Sequence, residues 1–276
     1  YDTFTASIRT MGRDLSGAAI AWYIDGNEQT ACKNERTCTV TAGGPGTDIN
    51  ISTLFTTADA QTQKVEYTVT PTRVDLIIEA DTTTPTFYNG RALPSSDSTI
   101  RAVAVPFTDT PASSLTYSWE LNDRPLFGGT LRGKDVATFQ IPFGDQGDLT
   151  VAVGDDRGHI FAEKRVVIKT VEPLIRFYED NPLRGLSRIA LPARYQLIGD
   201  EATVRAETYF MDSAMRDAQK EIEWKINRKE VENPSTDPQV ITLRSGGGTG
   251  SFVVEFFIRN QDKLLQSAKD AFTVHF

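Results

Sequence analysis

The chain has 276 residues, 39% of them hydrophobic and 24% charged, which is ordinary for a folded protein of two or three domains. Its 29 Lys and Arg against 37 Asp and Glu give a net charge of −8, which disfavours nucleic acid or an anionic membrane surface as a partner. Two His and two Cys disfavour a zinc cluster and His-based catalysis, and no apolar run is long enough to cross a bilayer. We expect neither catalytic residues nor a resident cofactor.

A threefold internal repeat organises the sequence. Trp22, Trp119 and Trp224 recur about 100 residues apart, which is the length of one β-sandwich domain. Each Trp lies in a segment of alternating apolar and polar residues that leads into a turn. A Trp on the third strand of such a sandwich packs between its two sheets, so we expect all three in cores.

The pattern predicts an all-β protein of three tandem Ig-like antiparallel β-sandwiches, because period-2 alternation and β-branched residues are interrupted by regularly spaced turn signals. Helical periodicity is confined to 211–219 and 261–269, which predict single turns at most. We assign residues 1–72 to domain 1, 73–171 to domain 2 and 172–276 to domain 3. Short Pro-containing joints at 70–74 and 170–174 favour an elongated, semi-rigid rod.

Domain 1 is short at its start. It has about 25 fewer residues before its Trp than the other two repeats, which corresponds to their opening strand. A sandwich without that strand has an unpaired edge and an open core. Either further chain precedes Tyr1, or a strand from a neighbouring subunit completes the domain along an assembly edge. Residues of that edge would be Asp2, Phe4, Ala6 and Ile8.

Cys32 and Cys38 flank a short polar segment in a predicted hairpin. Cross-strand neighbours there reach the Cα separation of about 5.5 Å that a disulfide needs. We predict a disulfide, with a free thiol pair as the alternative.

Acidic pairs near turns and joints are the only candidates for a metal. We interpret them as solvated turn residues. Calcium binding is the less favoured alternative, because none of the pairs has the residue spacing of a known calcium-binding loop. The pairs are Glu79/Asp81, Asp145/Asp148, Asp155/Asp156 and Glu179/Asp180.

Two loops between the first and second predicted strands are candidate contact sites. One carries Phe87, Tyr88 and Arg91, and the other carries Leu183 and Arg184. Aromatic residues on such loops either bind a glycan or partner, or pack against the adjoining domain and set the interdomain angle. Their recurrence in two repeats favours packing.

The Trp-x-[Ile/Leu]-[Asp/Asn] strand with its turn and closing strand resembles Ig-like and PKD-like domains of bacterial surface proteins. More narrowly, the segments 74–80, 87–94 and 175–183 are similar to exported Ig-like repeat proteins of uncultured small-genome bacteria. This resemblance implies export to the cell surface and supplies no catalytic residues.

We interpret the chain as a non-enzymatic, extracellular structural protein that self-associates as a subunit of a surface filament or lattice. One alternative is an adhesin or glycan-binding stalk that contacts a glycan or host surface through the Phe87/Tyr88 loop. Another is an accessory module of a secreted hydrolase.

Overall fold

A computed structural model describes residues 3–9, 17–57, 60–215, 220–233 and 235–276. Within these ranges the regular elements are β-strands and two 3-10 turns, Thr30–Cys32 and Ala112–Ser114, which confirms the all-β prediction. None of the described helical turns is long or apolar enough to span a membrane.

Domain 1 has a two-stranded sheet, β1-β4, facing a four-stranded sheet in the order β3-β2-β5-β6. Its strands are β1 (Thr3–Ser7), β2 (Ala19–Ile24), β3 (Asn27–Glu28), β4 (Thr37–Thr41), β5 (Ile49–Thr56) and β6 (Thr62–Val69).

Domain 2 has one more strand in the sheet that corresponds to β1-β4. Its sheets are β12-β8-β7 and β10-β9-β13-β14, with β11 also paired to β9. Its strands are β7 (Arg73–Asp81), β8 (Thr99–Phe107), β9 (Thr116–Leu121), β10 (Arg124–Pro125), β11 (Leu131–Arg132), β12 (Val136–Gln140), β13 (Gln146–Gly154) and β14 (Ile160–Lys169).

Domain 3 also has the opening strand, followed by a hairpin partner, and its sheets are β16-β15-β18-β21 and β17-β23-β22-β19-β20. Residues 263–269 belong to a strand, so the helical turn predicted at 261–269 is wrong. The strands are β15 (Leu174–Asn181), β16 (Gly185–Ala190), β17 (Arg194–Gln196), β18 (Glu201–Tyr209), β19 (Lys220–Ile226), β20 (Lys229–Glu230), β21 (Val240–Arg244), β22 (Ser251–Asn260) and β23 (Lys263–His275).

Each domain is built around its Trp. Trp22, Trp119 and Trp224 are buried, on β2, β9 and β19. Their indole N–H groups donate to the carbonyl oxygens of Glu35, Lys134 and Pro238, at 2.9, 2.8 and 2.9 Å. The side chain therefore fills the core while its one polar atom is satisfied.

The turn after each Trp strand explains the Asp or Asn three positions later. Asp25, Asn122 and Asn227 have φ of 48°, 52° and 50°, a left-handed conformation that Asn and Asp tolerate best after Gly. Each side-chain oxygen accepts a backbone N–H of the next long strand, at 2.8, 2.9 and 3.0 Å. The motif thus closes the hairpin and also fixes it to the neighbouring strand.

Candidate functional site at the open edge of domain 1

Among the described strands, β1 is paired on one side only. It is antiparallel to β4, with Phe4 opposite Val40 and Ala6 opposite Cys38, and it is an end strand of its sheet. The Ile8 N–H also donates towards this side, to the carbonyl of Arg36. Because backbone groups alternate between the two edges of a strand, those of Thr5 and Ser7 face the open edge. In domains 2 and 3, the equivalent strands carry a partner here, namely β7 and β15.

The strand registers identify the equivalent positions. The pairing of β1 with β4 matches that of β8 with β12, so Phe4, Ala6 and Ile8 correspond to residues 100, 102 and 104. The domain 2 residues are fully buried, whereas Phe4, Ala6 and Ile8 are only half-buried. The difference arises because β7 covers the domain 2 residues, whereas no described strand pairs with β1 on that side.

Strand β6 lies across from β1 in domain 1, and its residues are likewise exposed because no described strand covers them. Two residues after Trp22, Ile24 pairs with Ile51, which pairs with Tyr67. The same count from Trp224 leads through Val254 to Phe272. Tyr67 therefore occupies the position of Phe272 in domain 3. Phe272 is 3% exposed and packs on Phe177 of β15, with ring centroids 4.6 Å apart. Tyr67 is 70% exposed and neighbouring Val65 is 55% exposed.

An open groove of about 790 Å³ lies between these two strands, and we call it the domain 1 groove. Its lining includes the exposed Arg9 and the buried Trp22. The residues lining it are Phe4, Thr5, Ala6, Ser7, Ile8, Arg9, Trp22, Ile51, Thr53, Phe55, Gln63, Val65, Tyr67 and Val69. Of the four residues expected on the assembly edge, Phe4, Ala6 and Ile8 line this groove, and Asp2 lies outside the described residues.

A disulfide anchors β4, the strand that pairs with β1 at the groove. Cys32 and Cys38 are joined, with Cα atoms 5.3 Å apart. Cys38 is on β4 directly opposite Ala6, and Cys32 ends a 3-10 turn rather than lying on a hairpin strand. The bond therefore ties the sheet behind the groove to the segment that follows β3.

The Phe87 and Tyr88 rings lie in the joint between domains 2 and 3. Phe87 packs edge-on against Tyr178 at 5.1 Å, and Tyr88 against Tyr209 at 5.3 Å, measured between ring centroids. A Cβ at Gly90 would lie 2.2 Å from Cζ of Tyr88, so this ring position requires glycine. The loop therefore packs against the adjoining domain.

A buried polar network completes this joint. Asp212, 1% exposed, accepts hydrogen bonds from the Thr99 backbone N–H at 3.0 Å, the Thr99 hydroxyl at 3.1 Å and the Lys263 ammonium at 2.8 Å. Gln266 accepts the Asp212 N–H at 2.8 Å and donates to the Ser95 hydroxyl at 3.0 Å. Domain 3 is thus bonded to the loop and strand of domain 2 by a network in which Asp212, Gln266 and Ser95 are buried and Lys263 is partly exposed.

The charge state of Asp212 depends on these contacts. Burial alone raises the pKa of this carboxyl, but hydrogen bonds from Lys263 and from the Ala214 N–H, with the positive charge of Lys263, outweigh it. The pKa is held below its ordinary value. The joint therefore contains a carboxylate at neutral pH.

The second candidate loop is placed differently from the first, so the expectation that the two loops are equivalent is wrong. Leu183 and Arg184 form the tip of the β15–β16 hairpin, where Leu183 is 96% exposed. Domain 2 has no counterpart of this hairpin in its described strands. Arg91, on the first loop, donates to the carbonyl of Ile78 within its own domain.

The acidic pairs do not form metal clusters in the described part of the chain. Glu79 pairs with Arg101 at 2.6 Å and Asp148 with Arg165 at 2.9 Å. Across the described ranges, no group of three or more His, Cys, Asp or Glu side chains is arranged to hold an ion.

Searches against family models and curated proteins give no match to this chain. Among solved structures, it is similar over 97% of its length to the central fibronectin-III array of RIM-binding protein, covering 94% of that chain at 14% identity and a TM-score of 0.33. It is also similar over 99% of its length to three N-terminal domains of the bacteriophage RB49 outer capsid protein Hoc, covering 93% of that chain at 15% identity and a TM-score of 0.29.

A third similar structure is Bacteroides ovatus SGBP-B, from a mixed-linkage glucan utilization locus, in complex with a heptasaccharide. The identity is 12% and the TM-score 0.23, and this chain spans 63% of that protein's length. We draw nothing about function from likenesses this distant. The Ig-like description rests on the sheets and registers above.

Proposed function

We propose that the protein is a non-enzymatic, extracellular structural protein that assembles into a surface filament or lattice by donating a strand from one copy to the domain 1 groove of the next. The observation that carries this proposal is the difference between domain 1 and its two repeats. Domains 2 and 3 have β7 and β15 at this place, where the described residues of domain 1 show an unpaired edge of β1 and an exposed Tyr67.

Two properties of the groove favour a strand over a small apolar ligand. The open edge of β1 offers backbone N–H and C=O groups, which an extended peptide pairs and a lipid chain does not. The groove is also bounded by β1 on one side and β6 on the other, at the place where the other two domains have β7 and β15. The disulfide supports placement in an oxidising, extracellular compartment.

Of the contact residues expected for the glycan-binding alternative, Leu183 and Arg184 are exposed, but the two aromatic residues lie in the joint. Phe87 and Tyr88 are engaged with Tyr178 and Tyr209 in the joint, so their rings are not free to stack on a sugar. We therefore do not favour it.

Self-association of the purified chain tests the proposal. We compare the wild type with Ala6→Lys, which places a charge in the groove, and with Thr5→Lys, whose side chain points to the opposite face of β1. Light scattering at rising concentration and negative-stain electron microscopy should show ordered polymers for the wild type and Thr5→Lys, but monomers for Ala6→Lys.

A wild-type chain that stays monodisperse and melts cooperatively at every concentration would overturn assembly by a second copy. Polymers that persist unchanged in Ala6→Lys would overturn the role of the groove. Circular dichroism of Ala6→Lys, with its disulfide intact, separates a blocked groove from an unfolded domain.

A further inference from the structure

The outer edge of β14 in domain 2 differs from the same edge in domain 3. There β17 pairs in parallel with the end of β23, over residues 194–196 and 273–275. Strand β14 is the counterpart of β23, and among the described strands it is the last of its sheet. We propose that this edge binds an extended segment of a separate partner protein, parallel to β14, with a phenylalanine opposite Ile168 and an acidic residue opposite Lys169.

The cross-strand registers define which residues of the two edges correspond. Counted from the Trp of each domain across one strand, Lys164 on β14 corresponds to Asp270 on β23. Both ladders are regular from these residues to their ends, so residues 167–169 correspond to residues 273–275. The incoming segment therefore takes the place that β17 has in domain 3.

The backbone of β14 is directed outward at this edge. The N–H of Asp148 donates to the side chain of Asn122 and its C=O accepts the Asn122 N–H, so both groups point away from β14. Val167 lies opposite Asp148, and its own N–H and C=O therefore point away from β13, as do those of Lys169. In domain 3, the corresponding N–H of Thr273 donates to the segment that leads into β17. A parallel strand can pair with β14 in the same way.

A groove of about 350 Å³ lies beside this edge, and we call it the domain 2 groove. Its apolar side is formed by Leu76, Ile78 and Ala80 of β7, which are half-buried. The loop that carries Arg91 and the end of β14 form the remainder. An incoming side chain that faces the core would enter this groove beside β7.

An aromatic ring suits the groove because domain 3 has one in the same place. Tyr195 packs near Phe272, with ring centroids 6.5 Å apart, and its hydroxyl donates to Glu179 at 3.4 Å. Domain 2 has Val166 at the position of Phe272, which leaves more room, and Ile78 at that of Glu179. Since Ile78 offers the hydroxyl no side-chain acceptor, phenylalanine fits better than tyrosine.

Charge defines the next position of the segment. Among the described residues that line the groove, the charged ones are Arg91 and Lys169, both cations in a chain of net charge −8. Arg91 donates to the carbonyl of Ile78, whereas Lys169 is exposed at the position of His275. Gln196 lies opposite His275 in domain 3, so an acidic residue there would meet Lys169. The occupant thus differs from β17 at two positions, and β17 is itself already paired with β23.

Peptide binding to the full chain tests the proposal. The probe has the sequence of residues 191–198 with Tyr195→Phe and Gln196→Glu, and its fluorescence anisotropy is followed as the chain is added. Lys169→Glu should weaken binding about fivefold, and a probe with Gln196→Lys in place of Gln196→Glu should restore it. The matched control is Lys164→Glu, an exposed substitution on the same strand outside the groove, which should change the affinity less than about twofold.

Cross-linking with the peptide at saturation tests the direction of the strand. The probe also carries Arg194→Cys, which lies opposite Val167 if the strands are parallel and opposite Lys169 if they are antiparallel. Disulfide formation should be several times faster with Val167→Cys than with Lys169→Cys in the chain. Equal rates, or a faster reaction at Lys169→Cys, would overturn the parallel register.

The remaining outcomes identify other occupants. No binding of the probe, or binding unchanged by Lys169→Glu, would overturn the proposal. Phenylacetate that displaces the probe at equal concentration would assign the groove to a small aromatic acid, and loss of self-association in Lys169→Glu would assign it to a second copy. Either result would overturn a separate partner protein. The proposal goes beyond the proposed function, because Ala6→Lys in domain 1 should leave probe binding unchanged, so the two can fail separately.

Discussion

Domains 1 and 3 share the same Trp strand and turn, but among the described strands β15 of domain 3 has no counterpart in domain 1. Both have a buried Trp whose N–H bonds to a backbone carbonyl and a left-handed Asp or Asn that closes the next hairpin. Among the described strands of these two domains, an opening strand is present in domain 3 alone, and the aromatic residue that it covers is buried there and exposed in domain 1. The Trp-centred half of the sandwich is therefore common to both domains, while the opening strand decides whether the other half is core or surface.

The largest expected difference in stability is between alanine substitutions at Phe272 and at Tyr67. Phe272→Ala should destabilise domain 3 by about 3–5 kcal/mol, because it removes a buried ring that contacts Phe177. Tyr67→Ala should change the stability of the unassembled chain by only about 0.5 kcal/mol, because the ring is exposed. Denaturant-dependent hydrogen exchange of each domain measures both. Similar costs at the two positions would mean that the domain 1 groove is closed in solution.

The next largest loss of stability is expected at the joint between domains 2 and 3. Lys263→Ala leaves the buried Asp212 carboxylate without its cation and should cost about 3 kcal/mol. The control is Arg244→Ala, which removes an exposed pair with Glu201 and should cost about 0–1 kcal/mol. Equilibrium unfolding in urea checks the difference, and equal losses would show that the network does not support the joint.

Acidification should weaken the same joint. The pKa of Asp212 is below its ordinary value in the folded chain, so its ionised form contributes stability that is present above the unfolded-state pKa and lost as the pH falls through the folded-state pKa. Asp212→Asn should therefore be less stable than the wild type at pH 7, and the deficit should shrink below a pH of about 4. Thermal unfolding at a series of pH values measures this, and a constant deficit contradicts it.

The disulfide should have a smaller effect that is confined to domain 1. Replacing Cys32 and Cys38 together by Ala opens a short loop and should cost about 2 kcal/mol by loop-closure entropy. Calorimetry of the full chain should show the lowest-melting transition move while the others stay in place. Reduction of the wild type is the matched control, and a shift in every transition would contradict the assignment to one domain.

The turn residues should show the smallest effect and the same one in both domains. Asp25→Ala and Asn227→Ala each force Ala into a left-handed conformation and remove one hydrogen bond, at a cost of about 1–2 kcal/mol. Chemical unfolding of the single variants compares them. A large inequality would show that the Trp-centred unit is not constant between domains.

Local signals in the sequence predicted the Trp strands, their turns and the short first repeat. The residues that form the domain 2–3 network could not be predicted, because Ser95, Asp212 and Gln266 are brought together only by packing of the two domains. The weak helical spacing at 261–269 predicts a loop or a single turn, yet pairing of β23 with β22 makes residues 263–269 part of a strand. The exposed hairpin tip at Leu183 was matched to the wrong loop because the extra strand β16 has no counterpart in domain 2.

Hydrogen exchange at single amides of β1 tests the central claim most directly. The N–H groups of Thr5 and Ser7 face the open edge, whereas those of Phe4 and Ala6 face β4. In the isolated chain, Thr5 and Ser7 should exchange rapidly while Phe4 and Ala6 are protected, and all four should be protected once a strand occupies the groove in the assembled protein. Protection of Thr5 and Ser7 in the monomer, or no change on assembly, would contradict completion of domain 1 by an incoming strand.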